Sequence, residues 1–184
     1  FFDLHVVSWL LSQGMTVLLV ALPVVFQPEL RRALEQLGRG RLLAKKVDAS
    51  EAEIESMVGE VVAAAKVMSR ERIGALIVFE REVGLGEIID TGIDIDGKVS
   101  RELLNNIFIP NTPLHDGAVV IRNNRIMAAA CLLPLTQQRT LSTELGTRHR
   151  AAIGLSEQAD AIVLVVSEET GKISYTYGGH IYRN

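Results

Sequence analysis

The chain has 184 residues, enough for one globular domain with a full core plus an appendage. Its net charge of −3 argues against a general nucleic-acid binder, whose domain would be basic. The single cysteine, Cys131, excludes an intrachain disulfide and a cysteine-built zinc site; its apolar neighbours mark it as a core thiol, and a reducing compartment fits.

From Val6 to Phe26 no side chain is charged, a run of about 21 residues against the ~20 needed to cross a bilayer. Ser8, Ser12, Gln13, Gly14 and Thr16 dilute it and Pro23 interrupts it, while Trp9 suits a membrane interface. No basic residue precedes the run and no small-residue cleavage site is evident, so a signal peptide fits poorly. The competing reading is a buried helix of a soluble protein. Arg31, Arg32, Arg39, Arg41, Lys45 and Lys46 follow it, which by the positive-inside rule places the remainder in the cytoplasm. The expected organisation is a transmembrane segment over 1–27, a juxtamembrane helix and linker over 28–47, and a mixed α/β domain over 48–184. The abrupt Phe1-Phe2 start points to a fragment, with 1–27 the last of several spans. In the linker, Pro28 and Glu29 suit a first helical turn, and Leu30, Leu34 and Leu37 share a face.

Ser50 and Glu53 form a capping box opening a helix to about Arg70, with Ile54, Met57, Val58, Val61, Val62, Ala65 and Met68 as its core stripe. Residues 74–79 lack polar alternation and read as a strand covered on both faces. Four glycines between 83 and 99 mark loops and short strands; Gly84-Leu85-Gly86 lacks the third glycine and the helix of a nucleotide-binding motif. Ser100 caps a short helix carrying Leu103, Leu104, Ile107 and Phe108.

Pro110 and Pro113 then stiffen a stretch that delivers His115 and Asp116 side by side, followed by Gly117-Ala118 and the apolar Val119-Val120-Ile121. A ligand or base thus stands at the mouth of a strand, beside backbone that a ligand can approach closely; the competing reading is a plain Asp-Gly turn. Residues 122–125 make a hairpin turn, and Ile126 to Leu133 is the return strand, stopped by Pro134. After an irregular stretch over 135–146, Thr147 caps a helix to about Gln158 that buries Ala152, Ile153 and Leu155. Residues 161–166 form a second fully buried strand, and 173–177 an alternating, half-exposed one. The whole is a central sheet of five or more strands flanked by helices.

Arg148, His149 and Arg150 occupy the first turn of the 147–158 helix, where the macrodipole disfavours cations unless an anion lies over them. Free N–H groups, the Thr147 hydroxyl and two arginines make a phosphate site. Successive side chains diverge by about 100°, so one of the three is expected to serve another phosphate, the fold or a neighbouring subunit. An ordinary helix start with scattered basic residues is the competing reading. A carboxylate beside a histidine, with a phosphate cradle elsewhere, suggests metal-assisted phosphoryl chemistry, with Mg²⁺ or Mn²⁺ on oxygen ligands. Ser167 and Glu169, at the C-terminal mouth of a buried strand, are natural further partners, or else a solvated turn. His115-Asp116 also resembles the HD pair of metal phosphohydrolases, although only His5, His149 and His180 remain as further imidazoles.

Asp116-Gly117-Ala118, with Arg148-His149-Arg150 downstream, resembles the paired DGA and RHR motifs of the diadenylate cyclase domain. Asn111 to His115 before the first motif, Gly146-Thr147 before the second, and 167–171 beyond agree with it. The apolar segment running into 26–34 is similar to the last span of the membrane-anchored, CdaA-type members. The resemblance implies a nucleotidyltransferase that condenses two ATP into cyclic di-AMP plus two pyrophosphates, with a divalent Mg²⁺ or Mn²⁺ ion. It implies metal coordination by Asp116 and His115, with Asp116 assisting the 3′-hydroxyl. It also implies phosphate contacts from Thr147, Arg148, His149 and Arg150, and an ATP pocket including Gly117, Ala118, Leu132, Leu133, Ser167 and Glu169. One domain holds one such set, so two must face each other across a two-fold axis, each with one ATP. The expected setting is the cell membrane, with the catalytic domain cytoplasmic, a homodimer as the active form, no nucleic-acid partner, and room for regulatory protein partners. The competing functional class is a membrane-tethered nucleotide sensor without turnover; a structural membrane adaptor is a third.

Overall fold

The computed structural model describes residues 2–27, 50–138 and 146–183, and the chain divides into two compact units, Phe1–Val47 and Asp48–Asn184. In the first unit α1 spans Phe2–Val25. Its described apolar side chains, among them Trp9, Leu10, Leu11, Leu18 and Leu19, are exposed. Among the described residues, no helix is long and apolar enough to cross a membrane. The expected juxtamembrane helix over 28–47 lies outside the described residues.

The second unit is the expected mixed α/β domain, with seven strands. In chain order these are α2 (Glu51–Glu71), β1 (Ala75–Glu80), α3 (Gly86–Ile89), β2 (Ile93–Lys98), α4 (Arg101–Ile107), β3 (Ala118–Arg122) and β4 (Arg125–Cys131). Then come α5 (Thr147–Gln158), β5 (Ala161–Val166), β6 (Ile173–Tyr177) and β7 (His180–Arg183). The sheet order is β2-β4-β3-β1-β5-β6-β7. β1 pairs parallel with β3 and antiparallel with β5, and every other pairing is antiparallel.

Local signals account for most boundaries. Both hydrogen bonds of the Ser50/Glu53 capping box form. Ser100 accepts from the Leu103 N–H at 3.3 Å. Asn123 and Asn124 both take positive φ, as a two-residue hairpin turn that follows the sheet twist demands. The α2 stripe departs from expectation. Val61, Ala64, Ala65 and Met68 are buried, whereas Ile54, Val58 and Val62 are exposed, so the helix meets the core only along its later turns. Two further differences are the single turn of α3 and the edge strand β7, too short and polar to show a period.

Both faces of the sheet are covered. Met68, Leu104, Ile107 and Phe108 pack against Ile77, Val119, Ile121 and Ile126 on one face. On the other, Ala151, Ala152 and Leu155 of α5 pack against Leu76, Val78, Val120, Val163 and Val165. β5 is less uniformly buried than its sequence implies, because Ile162 and Leu164 remain half-exposed.

The segment after β4 is held against α5 by a glycine. A Cβ at Gly154 would lie 2.3 Å from the Pro134 carbonyl oxygen and 2.5 Å from the Thr136 nitrogen. Beside that contact the Thr136 N–H donates to the Arg150 carbonyl at 3.1 Å, and its hydroxyl to Glu157 at 2.9 Å. Gly154→Ala is therefore expected to cost about 1–3 kcal/mol, since it meets backbone rather than a side chain able to rotate away. A thermal melt of the full chain checks this; an unchanged midpoint would refute the close seating.

Candidate functional site

Strand polarity gathers the candidate residues. Val166, the last residue of β5, pairs with Ala75, the first of β1, and Ala118, opening β3, pairs with Cys131, closing β4. With Val119 opposite Ile77, the entries to β1 and β3 and the exits of β4 and β5 share one end of the sheet. α5 enters β5 through a two-residue link at the other end, where Ala161 pairs with Glu80, so its N-terminus returns to this end. Ala118, Cys131, Ala151 and Val165 accordingly share one apolar cluster. His115-Asp116-Gly117, Leu132-Leu133, Thr147–Arg150 and Ser167–Glu169 thus emerge within one region.

Asp116 is exposed and its carboxylate has no hydrogen-bond or ion-pair partner among the described residues. His115 is half-buried, with Nδ1 2.5 Å from the Thr112 carbonyl oxygen. That acceptor fixes the tautomer: Nδ1 carries the proton, and Nε2 keeps its lone pair for a metal or a proton. Gly117 has φ 133°, and a Cβ there would lie 2.7–2.9 Å from the backbone of Ala130 and Cys131. Its lack of a side chain lets the chain turn from Asp116 into β3 against β4. Cys131 itself is buried, and burial, then the nearby Asp94, push its thiol up to about 11, which leaves it a packing residue.

Two expectations, the Thr147 cap and the strand through Leu133, need correction. Thr147 is not the cap: α5 is capped by Gly146, without a side-chain cap bond, and Thr147 is its first residue. Leu132 and Leu133 lie beyond β4 rather than inside a buried strand. Leu132 is 68% exposed with its N–H donating to Thr91, and Leu133 is partly buried against the α5-side core. The strand stops at Cys131, three residues before Pro134, because β4 is bulged and Ala130 sits at φ 56°. Ser167 is engaged in its turn, its hydroxyl accepting from the Thr170 N–H at 3.2 Å.

The basic residues of α5 differ in their surroundings. Arg150 is exposed, with no ion pair among the described residues. Arg148 donates through Nη1 to Glu168 at 2.6 Å. His149 is half-buried, and its pKa is lowered first by burial and then by the positive charge of Arg183, with Glu169 pulling the other way. Three participants therefore escaped the sequence reading. Glu168 resembled a solvated turn, Arg183 lay on an unforeseen strand, and Gly74, beneath the Arg148–Glu168 pair, looked like the start of a strand.

A divalent ion is the cofactor to test against this donor set. Among the described residues no three His, Cys, Asp or Glu side chains converge on one point. One free carboxylate and one imidazole lone pair suit a hard ion that fills its remaining positions with phosphate oxygens and water.

His149 titrates lower in the folded chain than in the unfolded one, so the unfolded state takes up the proton first. The stability it contributes is present above the unfolded value of about 6.5 and is lost as pH falls through that value towards the folded one. In an NMR titration of the imidazoles, Arg183→Ala is expected to raise the His149 midpoint and Glu169→Gln to lower it. Movement in the opposite sense in either variant would contradict this arrangement.

The family model for the nucleotide-binding domain of the DisA bacterial checkpoint controller matches residues 62–181. The cyclic di-AMP synthase CdaA of Bacillus subtilis is 50% identical over 183 residues, covering 100% of this chain and 67% of the relative. A crystal structure of a cysteine double mutant of DacA from Staphylococcus aureus superposes with TM-score 0.70 at 51% identity, over 72% of this chain and 89% of that one. A structure described as a hypothetical membrane spanning protein from Bacillus cereus gives TM-score 0.68 at 39% identity, over 88% of this chain and 78% of that one.

Proposed function

The chain belongs to the diadenylate cyclase family, in its CdaA type, and on that premise we propose that two copies, face to face, condense two ATP molecules into cyclic di-AMP in a metal-assisted reaction. The observation that carries the reading is the convergence of Asp116 and the start of α5 at one end of the sheet, joined by the exits of β4 and β5. In each half-reaction the 3′-oxygen of one ATP forms a bond to the α-phosphorus of the other. The bond from that phosphorus to the β-phosphate bridging oxygen breaks, releasing pyrophosphate.

Asp116, exposed and without a partner among the described residues, accepts the hydroxyl proton. His115 Nε2 and Asp116 would hold the divalent ion, which when bound supplies charge neutralisation and orients the phosphates. Gly117, seated against the β4 backbone, and buried Ala118 form the wall of the ATP pocket at the entry to β3. Thr147, Arg148, His149 and Arg150, at a helix start without a side-chain cap, take the phosphates. His149, its pKa lowered first by burial, joins them as a hydrogen-bonding group. Exposed Leu132, with Leu133 behind it, borders the base, and Ser167 and Glu169 close the pocket from the β5 side.

A lone subunit presents one Asp116 and one phosphate cradle, whereas the ring needs two in-line attacks. A symmetric dimer is the smallest arrangement that supplies both. The full chain, incubated in mild detergent with ATP and Mn²⁺, is expected to give cyclic di-AMP and pyrophosphate by mass analysis. Asp116→Asn is expected to lose at least about 100-fold in rate. Purified heterodimers of wild type and Asp116→Asn should make one bond and fail to close the ring. ATP binding without pyrophosphate release would instead favour a nucleotide sensor.

We further assign 1–27 as a membrane anchor, 28–47 as its linker and 48–184 as the cytoplasmic catalytic domain. Supporting this are the charge-free run from Val6 to Phe26, the exposed apolar side chains of α1 and the basic residues that follow. The relative from Bacillus cereus described as membrane spanning agrees. Cell fractionation should find the full chain in a membrane pellet that resists high salt; release by salt alone would refute the anchor.

A further inference from the structure

Arg148 is the second residue of α5, where its charge faces the positive end of the helix dipole. The guanidinium is nevertheless held in one place. Its Nη1 donates to Glu168 Oε2 at 2.6 Å, and the pair lies on the backbone of buried Gly74. A Cβ built on that glycine would fall 2.8 Å from Arg148 Cζ and Nη1 and 2.8 Å from Glu168 Oε2. Glu168 sits in the turn after β5, which is itself anchored: Ser69 of α2 donates to the Gly171 carbonyl at 2.5 Å, and the Gly171 N–H to Ser167 at 2.8 Å. The carboxylate therefore stands on a fixed turn. Arg148 is 25% exposed and Glu168 59%, so the pair is open to solvent and contributes little to stability. Among the described residues only Nη1 of the guanidinium is engaged, which leaves the Nε and Nη2 donors for an anion.

We propose that Glu168 is a positioning residue: it grips one corner of the Arg148 guanidinium over Gly74 so that the remaining donors meet the nucleotide's polyphosphate. This rests on the reading of the site as an ATP site. A carboxylate on one corner keeps the cation from swinging into solvent and offsets the helix dipole, while two parallel donors stay available for bidentate phosphate contact. The arrangement also explains a glycine before β1, since any side chain there would displace both partners.

The test uses the full chain in mild detergent. Glu168→Ala is expected to raise KM for ATP about tenfold, the worth of one well-oriented charge-assisted contact, while kcat stays within about threefold. Its melting temperature should match wild type, because the side chain is mostly exposed. Glu168→Gln, which keeps an acceptor oxygen, should recover most of the affinity. Gly74→Ala should shift KM in the same direction as Glu168→Ala.

A second readout needs no turnover. By calorimetry the preference for ATP over AMP should shrink in Glu168→Ala, since only ATP carries the polyphosphate. An unchanged KM in Glu168→Ala, or equal weakening of ATP and AMP binding, would overturn the proposal. If wild type makes no cyclic di-AMP, the reaction assigned above fails, and the ATP-to-AMP comparison alone decides the role of Glu168.

Discussion

β1 is hydrogen-bonded to β3 in parallel and to β5 in antiparallel register, and that mixed pairing decides where the chain ends fall. A parallel neighbour brings a strand entry to the level of the β1 entry. An antiparallel neighbour brings a strand exit to the same level. The His115-Asp116 stretch precedes a strand and Ser167-Glu168-Glu169 follows one, so an all-parallel sheet would have put them at opposite ends. The buried faces of β1 hold the register: slipping by one residue would exchange Leu76 and Val78 with Ile77 across the sheet and unseat both cores.

A second consequence concerns charge. α5 must run antiparallel to β5 to reach it through a two-residue link, so its N-terminus, with three basic or potentially basic residues, returns to the end of the sheet where β5 exits. The chain deals with each differently. Arg148 is paired with Glu168, burial lowers the pKa of His149, and Arg150 is exposed. At a helix start, where each uncompensated cation would cost a few tenths of a kcal/mol or more, Arg148 thus has a counter-charge and burial disfavours the charged form of His149.

Much of this was legible in the sequence because it is written in local signals. The capping box at Ser50, the Asn123-Asn124 turn and the buried strand over 75–80 all act within a few residues, and all appear in the structure. The details that escaped depend on contacts distant in sequence. Gly74 and Glu168 meet Arg148 from far along the chain, and nothing within a few residues of either marks them as partners. The α2 stripe was misjudged for a related reason: periodicity gives a helix its apolar face but not how many of its turns the sheet will cover. Leu132 and Leu133 looked like strand because apolar runs do not disclose a bulge.

That bulge is where local backbone preference yields to longer-range packing. Four of the positive-φ residues outside glycine are asparagine or aspartate, which tolerate the left-handed region through their own backbone contacts. Ala130 has no such aid, and its φ of 56° costs about 1–3 kcal/mol wherever it is imposed. It is imposed beside Gly117, the residue that follows Asp116, at the point where the β3–β4 register shifts. A regular ladder through Cys131 would carry Leu132 onward as strand. The bulge instead ends the pairing there and turns the chain towards α5, where Gly154 admits it. The strained alanine and two glycines with no room for a methyl thus belong to one device. They leave the carboxylate stretch, the exposed leucine and the start of α5 at the same end of the sheet, at a cost in stability that a sheet built for packing alone would not incur.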